Sequence, residues 1–465
     1  MAADKGGVFD VVVIGAGPPG ENVAGRCADA GLSVAIVESR LVGGECSFWG
    51  CIPSKTLLRP GDVIAAARRV PGAAEAVTGS LDAAAAFAQR DYMTSSWSDH
   101  TQTPWLDSKG IELVRGVGRL AGERTVEVET GSGVRVLTAS RAVVLANGTT
   151  PFMPPIEGLA DVKAWDNRDA TSTSEVPRRF LVLGGGPIGV ELAQAFRRLG
   201  SEQVTVIEGG ERLLAREEPF AGEEVAAAFE AEGITVRTGV TATAASRDTD
   251  GVRLVVSDGN TFVGDELLVA VGRRANTADV GLETVGLDAG SRLEVDERLR
   301  VRGAPGEWLY AVGDVAGMAQ LTHMGKYQGR LAGDVIAGRD VSDESDFRAV
   351  PRITFTDPQV AAVGATEAEA RDGGVDVRAV RVGTGEVAGA YVRGNDIAGT
   401  SKLVIDEGRH VIVGATFTGP DVQEMLHAAT IAIVGEVPLE RLWHAVPAFP
   451  TVSEVWLRLL EQYGL

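Results

Sequence analysis

Cys46 and Cys51 stand five positions apart in Cys46-Ser47-Phe48-Trp49-Gly50-Cys51, which runs directly into Ile52-Pro53-Ser54-Lys55. Two close thiols can exchange electrons with a disulfide or bind a metal. A zinc site needs further Cys or His ligands; the chain has five histidines and none is near this pair. Pro53 predicts that a helix begins here, with Cys51 near its positive end, where the dipole lowers a thiol pKa. Lys55, four residues after Cys51, falls on the same helical face. The third cysteine, Cys27, lies in an amphipathic pattern and reads as core.

A second chemistry-bearing pattern occurs twice. Gly15-Ala16-Gly17-Pro18-Pro19-Gly20 and Gly184-Gly185-Gly186-Pro187-Ile188-Gly189 both fit G-x-G-x-x-G between an apolar strand and a helix. Gly15, Gly17 and Gly20, like Gly184, Gly186 and Gly189, permit a tight turn and let backbone approach a pyrophosphate at a helix N-terminus. Pro19 is tolerated because a proline in the first helical turn loses no needed hydrogen bond. Each second strand ends in an acidic residue, Glu38 and Glu208, suited to accept hydrogen bonds from ribose hydroxyls. A carboxylate at Glu208 repels a 2′-phosphate, so NAD(H) is expected over NADP(H), with Arg212 close enough to keep the alternative open. Two such units imply two dinucleotides, with a hydride passing between them.

These residues need elements to hold them. Asp10–Glu38 and Arg179–Glu208 each read as strand, Gly-rich turn, helix and strand. Strands are expected at Phe9–Ile14 and Ala142–Ala146; after the second unit come alternating strands, then Leu309–Asp314 (LYAVGD) and a helix from about Thr322. From about Val350 the pattern changes to strands at Ile353–Thr356, Lys402–Ile405 and Val411–Phe417, then helices around Pro420–Val434 and Ser453–Gln462.

The bulk composition sets limits. A chain of 465 residues fits about three domains. Its formal charge of −20 repels phosphate backbones and anionic lipid, so nucleic acid and membranes are not expected partners. The opening MAADKGG shows no basic stretch ahead of an apolar one, and no uncharged apolar run reaches the roughly 18 residues of a span. A cytoplasmic location is expected, and three cysteines there do not make a structural disulfide framework.

With these motifs in order, the chain resembles the class I pyridine nucleotide-disulfide oxidoreductases, the family of lipoamide dehydrogenase, glutathione reductase and mercuric reductase. Gly43-Gly44-Glu45-Cys46-Ser47-Phe48-Trp49-Gly50-Cys51-Ile52-Pro53-Ser54-Lys55 matches that family's GGxCxxxGCxPSK. Ala146-Asn147-Gly148-Thr149, Val271-Gly272-Arg273-Arg274, Ala311-Val312-Gly313-Asp314-Val315 and the PRITFTD of Pro351–Asp357 match its later signatures.

The resemblance implies an α/β fold: two Rossmann-like domains, for FAD and NAD, and a C-terminal α+β dimerisation domain. The FAD domain is expected in two segments, 1–152 and 277–346, around an NAD(P) domain at 153–276, with the interface domain at 347–465. It implies that Cys51 is the thiol beside the flavin and Cys46 the interchange thiol. Lys55 and Glu191 would pair beside the flavin ring, and Asp314 would bind the ribitol. Gly44, Gly148 and Gly272 would belong to the cofactor sites. A homodimer with an active site shared between subunits is implied, without metal.

Two departures stand out. Pro187 replaces a tyrosine that gates the nicotinamide pocket in many reductases. More consequentially, the family's HPTxSE reads Phe449-Pro450-Thr451-Val452-Ser453-Glu454 here: Glu454 is kept, and phenylalanine replaces the histidine that serves the interchange thiol as acid and base. His444 is the nearest substitute, or an ordinary helix-end histidine. Mercuric reductases also lack that histidine but carry a C-terminal cysteine pair, and the last residues here contain none. Phe48 and Trp49 either line an acceptor channel or pack on the flavin. The leading expectation is reduction of a disulfide, or reversible oxidation of a lipoamide-like dithiol, through Cys46 and Cys51. A quinone or small-oxidant reductase that needs no histidine is the alternative, and a largely non-catalytic flavoprotein interaction partner is the third reading.

Overall fold

The computed structural model describes residues 7–343, 345 and 348–465. The opening residues read for a leader, and the domain boundary expected between 346 and 347, lie outside them. The described chain forms two compact units, each built from separate stretches. One draws on residues 1–53, 91–151 and 273–344, the other on 54–90, 152–272 and 345–465.

In the first unit, valine- and isoleucine-rich runs form a parallel sheet buried on both faces, as such runs require. Its strands lie in the order Glu112–Arg115, Val34–Glu38, Gly7–Ile14 and Gly133–Leu145, with Leu309–Ala311 parallel to the last. Val11 faces Val34 and Ile14 faces Leu145 across the ladder. An antiparallel extension of Thr125–Thr130 and Val117–Leu120 completes the sheet.

Helix Pro18–Asp29 opens with proline in its first turn and packs against helix Thr322–Ile336. The second helix presents glycines at every fourth position. A Cβ on Gly329 would meet Pro19 O at 2.4 Å, and one on Gly333 would meet Arg26 Cβ at 2.6 Å. The two backbones therefore approach to a distance that only glycine allows. Arg26 clamps Asp334 with two hydrogen bonds of 3.0 and 2.6 Å beside this contact. Cys27 is wholly buried there, and burial pushes its thiol up to about 12.

The second unit contains another parallel sheet, in the order Ile234–Arg237, Gln203–Ile207, Arg179–Leu183 and Glu266–Val269, with helix Pro187–Leu199 following the Gly-rich turn. Its C-terminal part is a five-stranded antiparallel sheet: Arg352–Thr354, Gln359–Gly364, Val411–Gly419, Thr400–Asp406 and Val377–Gly383. Helices Val422–Val434 and Val455–Tyr463 pack on it around Phe417, Leu426, Val455 and Leu459.

The helix expected at Pro53 begins at Cys51 and runs to Arg68. Within Leu309–Asp314 the strand covers Leu309–Ala311, and Gly313–Ala316 turns into a 3-10 helix, with Gly313 at φ +73°. Among the described residues, no helix is long and apolar enough to cross a membrane.

Candidate active site

Cys46 lies in the short helix Gly44–Phe48, entered through Gly43 at φ +108° and Gly44 at φ +59°. Gly44 packs on Gly17, where an added Cβ would sit 2.8 Å from Gly17 Cα. The cysteine loop is thereby pinned to the first Gly-rich turn. Cys51 opens the next helix, and both cysteines are half-buried thiols. A hydrogen bond with Cys51, followed by burial, raises the Cys46 thiol well above its ordinary value. Two thiols this close share one negative charge more readily than they carry two. Thr322 opposes that rise by hydrogen bonding and Lys326 by its charge; Thr322 Oγ1 also lies 3.4 Å from Cys51 Sγ. Phe48 is fully buried and Trp49 half-buried against it, with ring centroids 5.7 Å apart.

Around the first Gly-rich turn, Gly15 is at φ +104°, and a Cβ on Gly20 would meet Gly15 O at 2.0 Å. Around Gly17 no atom comes closer than 3.9 Å to such a position, leaving room for a ligand. Glu38 Oε2 accepts from Ala16 N at 2.8 Å and Oε1 from Arg40 N at 2.7 Å, while burial raises its carboxyl. Asp314 is also raised by burial, relieved by Thr149 Oγ1 at 3.0 Å and by the charge of Arg273. Gly148 is at φ +67° with open space beside it, and the nearby Asn147 Oδ1 is buried without a hydrogen-bond partner. A half-buried carboxylate with one hydroxyl donor, an orphaned acceptor and an open glycine turn fit a polyhydroxylated dinucleotide such as FAD.

The second unit repeats the turn. Gly184 is at φ +113°, a Cβ on Gly189 would meet Gly184 O at 2.0 Å, and nothing lies within 4 Å of one on Gly186. Glu208 accepts from Gly185 N and Gly210 N, both at 2.6 Å. Arg212 instead donates to Ala215 O at 2.8 Å and Glu217 O at 3.0 Å. Gly272 is at φ +137° after strand Glu266–Val269. In the same unit Lys55 Nζ meets Glu191 Oε2 at 2.5 Å and lies 4.9 Å from the Phe355 ring centroid. Glu191 is buried, and its Oε1 accepts from Phe355 N at 2.9 Å.

At the C-terminus, Glu454 is buried; Oε1 meets Arg458 at 3.0 Å and Oε2 has no partner. Among the described residues, no hydrogen bond or ion pair joins it to the exposed His444. Phe449 is 76% exposed and Val446 85%. Four participants were not visible to sequence reasoning: Thr322 and Lys326 at the thiols, Phe355 on Glu191, and Gln328, whose side chain accepts from Gly313 N at 2.7 Å. Each acts across more than ten positions of sequence, and no local pattern marks it.

Residues 9–329 match the family model "Pyridine nucleotide-disulphide oxidoreductase", and residues 350–459 match that family's dimerisation domain. The chain belongs to the pyridine nucleotide-disulphide oxidoreductases. Similar curated proteins include a dihydrolipoyl dehydrogenase of Chlamydia muridarum, 32% identical over 96% of this chain and 95% of that protein. A mercuric reductase of Staphylococcus aureus is 30% identical over 97% of this chain and 82% of that protein. The HOCl-induced flavoprotein disulfide reductase RclA of Escherichia coli, solved as a Cu(II) complex, superposes with a TM-score of 0.86 at 25% identity, covering 98% of this chain and 99% of that one. The family is one of FAD-dependent oxidoreductases that use a pyridine nucleotide, with two Rossmann-like domains and a C-terminal domain. The dimerisation domain supports a homodimer.

Proposed function

We propose that this enzyme passes two electrons from NADH, by way of FAD, to the Cys46–Cys51 pair and on to a disulfide or dithiol acceptor of the lipoamide kind. The observation that carries this reading is the pair of hydrogen-bonded thiols at a helix start, with Thr322 against both. FAD, when bound, supplies the two-electron relay between nicotinamide and thiols. Gly15, Gly17, Gly20, Glu38, Gly44, Gly148 and Asp314 hold it in this proposal. Gly184, Gly186, Gly189, Glu208 and Gly272 hold the nicotinamide dinucleotide. Lys55 and Glu191 act as a charge-compensated pair at the reactive ring edge. Cys51 is the thiol facing the flavin and Cys46 the one that attacks the acceptor. Residues 1–152 and 277–346 form the FAD domain, 153–276 the NAD domain and 347–465 the interface domain, in a cytoplasmic homodimer.

NADH is preferred because Glu208 is fixed at the strand end by two backbone donors, while Nη2 of Arg212 donates to two carbonyls. A 2′-phosphate would meet a carboxylate there.

Exposed Phe449 at the position of the expected histidine favours a second reading, direct reduction of an apolar oxidant such as a quinone. Anaerobic titration with NADH separates the two. The first expects a long-wavelength absorption band near half-reduction, lost in Cys51→Ser, together with lipoamide turnover lost in Cys46→Ser. Bleaching without that band, with quinone turnover indifferent to Cys46→Ser and no disulfide turnover, would overturn it in favour of the second.

A further inference from the structure

Glu191 is held from two sides. Lys55 Nζ takes one carboxylate oxygen at 2.5 Å, and the backbone N–H of Phe355 takes the other at 2.9 Å. The Phe355 ring centroid lies 4.9 Å from the same ammonium. The pair is therefore only as well placed as the backbone around Phe355. Beyond strand Arg352–Thr354 the sheet ladder stops, and the N–H groups of Phe355 and Asp357 go instead to side chains of helix Pro187–Leu199.

Gln194, wholly buried one turn after Glu191 on that helix, makes the second of these bonds. Its Oε1 accepts from Asp357 N at 2.8 Å and its Nε2 donates to Asp357 O at 3.0 Å. One amide thus brackets one residue as a neighbouring strand would. The N–H of Asp357 can only donate, which decides the end of the amide that carries oxygen. Nε2 also donates to Glu232 Oε1 at 2.9 Å. A turn further on, Arg198 donates to Asp357 Oδ2 at 2.8 Å and to Glu232 Oε1 at 2.6 Å. Positions 191, 194 and 198 share one helical face, and that face grips both ends of residues 355–357.

We propose that Gln194 is a positioning residue for reduction of the flavin by NADH. It fixes the backbone that holds Glu191 and, through Glu191, the ammonium of Lys55. This rests on the reading above that sets the Lys55–Glu191 pair at the reactive ring edge. The hydrogen bonds of the Gln194 side chain go to Asp357 and Glu232, so its influence passes through residues 355–357. A methionine there fills the space and leaves Asp357 N and O without their bracket. A glutamate turns a carboxylate toward Asp357 O and the carboxylate of Glu232. Either change frees the Phe355 N–H to shift, and a displacement of about 1 Å can slow a reaction that needs aligned groups by about 10²-fold.

The test is stopped-flow reduction of the FAD-loaded enzyme by NADH, with hydrogen exchange followed over residues 353–357. Gln194→Met should lower the limiting rate about tenfold, leave the NADH dissociation constant within about twofold, and speed exchange in that segment. In a Glu191→Ala background the same change should have no further effect on the rate, since a residue acting through another is not additive with it. Gln194→Glu should be slow at pH 8 and recover toward pH 5.5, where a protonated carboxyl again donates to Asp357 O while accepting from Asp357 N. This variant also decides the matter should Gln194→Met fail to fold. Phe229→Leu, in the core beneath helix Pro219–Ala231, should lower the melting temperature and leave the limiting rate unchanged. A Gln194→Met enzyme with the wild-type rate overturns the proposal. So does one whose loss is repeated in full on Glu191→Ala, or a Gln194→Glu enzyme without recovery at low pH. A Glu191→Ala enzyme at the wild-type rate would instead remove the ring-edge reading, while exchange in Gln194→Met still decides whether Gln194 holds the segment.

Discussion

Glu191 is buried and Glu21 half-buried, and their surroundings treat them in opposite ways. Glu191 has an ammonium on one oxygen and a backbone N–H on the other. Glu21 is raised from 4.5 to about 7 by burial, with only the charge of Lys326 against it. Its folded pKa lies above its unfolded one, so the folded state binds more protons in between and stability falls as pH climbs. The contribution is complete below about 4.5 and gone above about 7, a difference on the order of 3 kcal/mol. Thermal unfolding of the flavoprotein should find Glu21→Gln level with wild type at pH 5 and melting higher at pH 8; equal melting at both values would contradict the assigned burial. Nothing in the residues around position 21 announces this. The opposing charge of Lys326 comes from a helix three hundred positions later, whereas Cys46, Cys51 and Lys55 could be found by spacing alone.

At the scale of elements, the two Gly-rich turns were legible because their geometry is local: strand, turn and helix lie within thirty residues. The start of helix Cys51–Arg68 two residues before Pro53 follows from the same proline, placed within the first turn rather than at its edge. Pairing of Lys55 with Glu191 could not be derived from patterning, since 136 positions separate them and only the resemblance suggested it. The glycines of the second turn make separable predictions. Gly189→Ala puts a methyl group 2.0 Å from Gly184 O and should lower the melting temperature and remove NADH-dependent reduction together. Gly186→Ala meets nothing within 4 Å, so it should melt like wild type, within the roughly 0.5 kcal/mol of an ordinary surface change, while KM for NADH rises about tenfold. Thermal unfolding and steady-state kinetics on the two variants check this, and identical behaviour would mean that Gly186 does not border the nucleotide.

For the whole molecule, the C-terminal unit leaves Ile431, Val434, Val446 and Phe449 exposed at 57%, 61%, 85% and 76%. All four fall within residues 350–459, which match the dimerisation domain, so they are expected to be covered by a second copy. Ile431→Arg should shift the enzyme from dimer to monomer in sedimentation velocity while flavin content is kept; a dimer unchanged by it would put the interface elsewhere. The raised carboxyl of Glu21 also bears on how this protein responds to selection. Stabilising substitutions are easy to find and often weaken function. A library screened only for heat resistance at alkaline pH should enrich neutral residues at position 21 early. Its winners would hold their fold at high pH and would lose the pH dependence that the carboxyl at position 21 imposes.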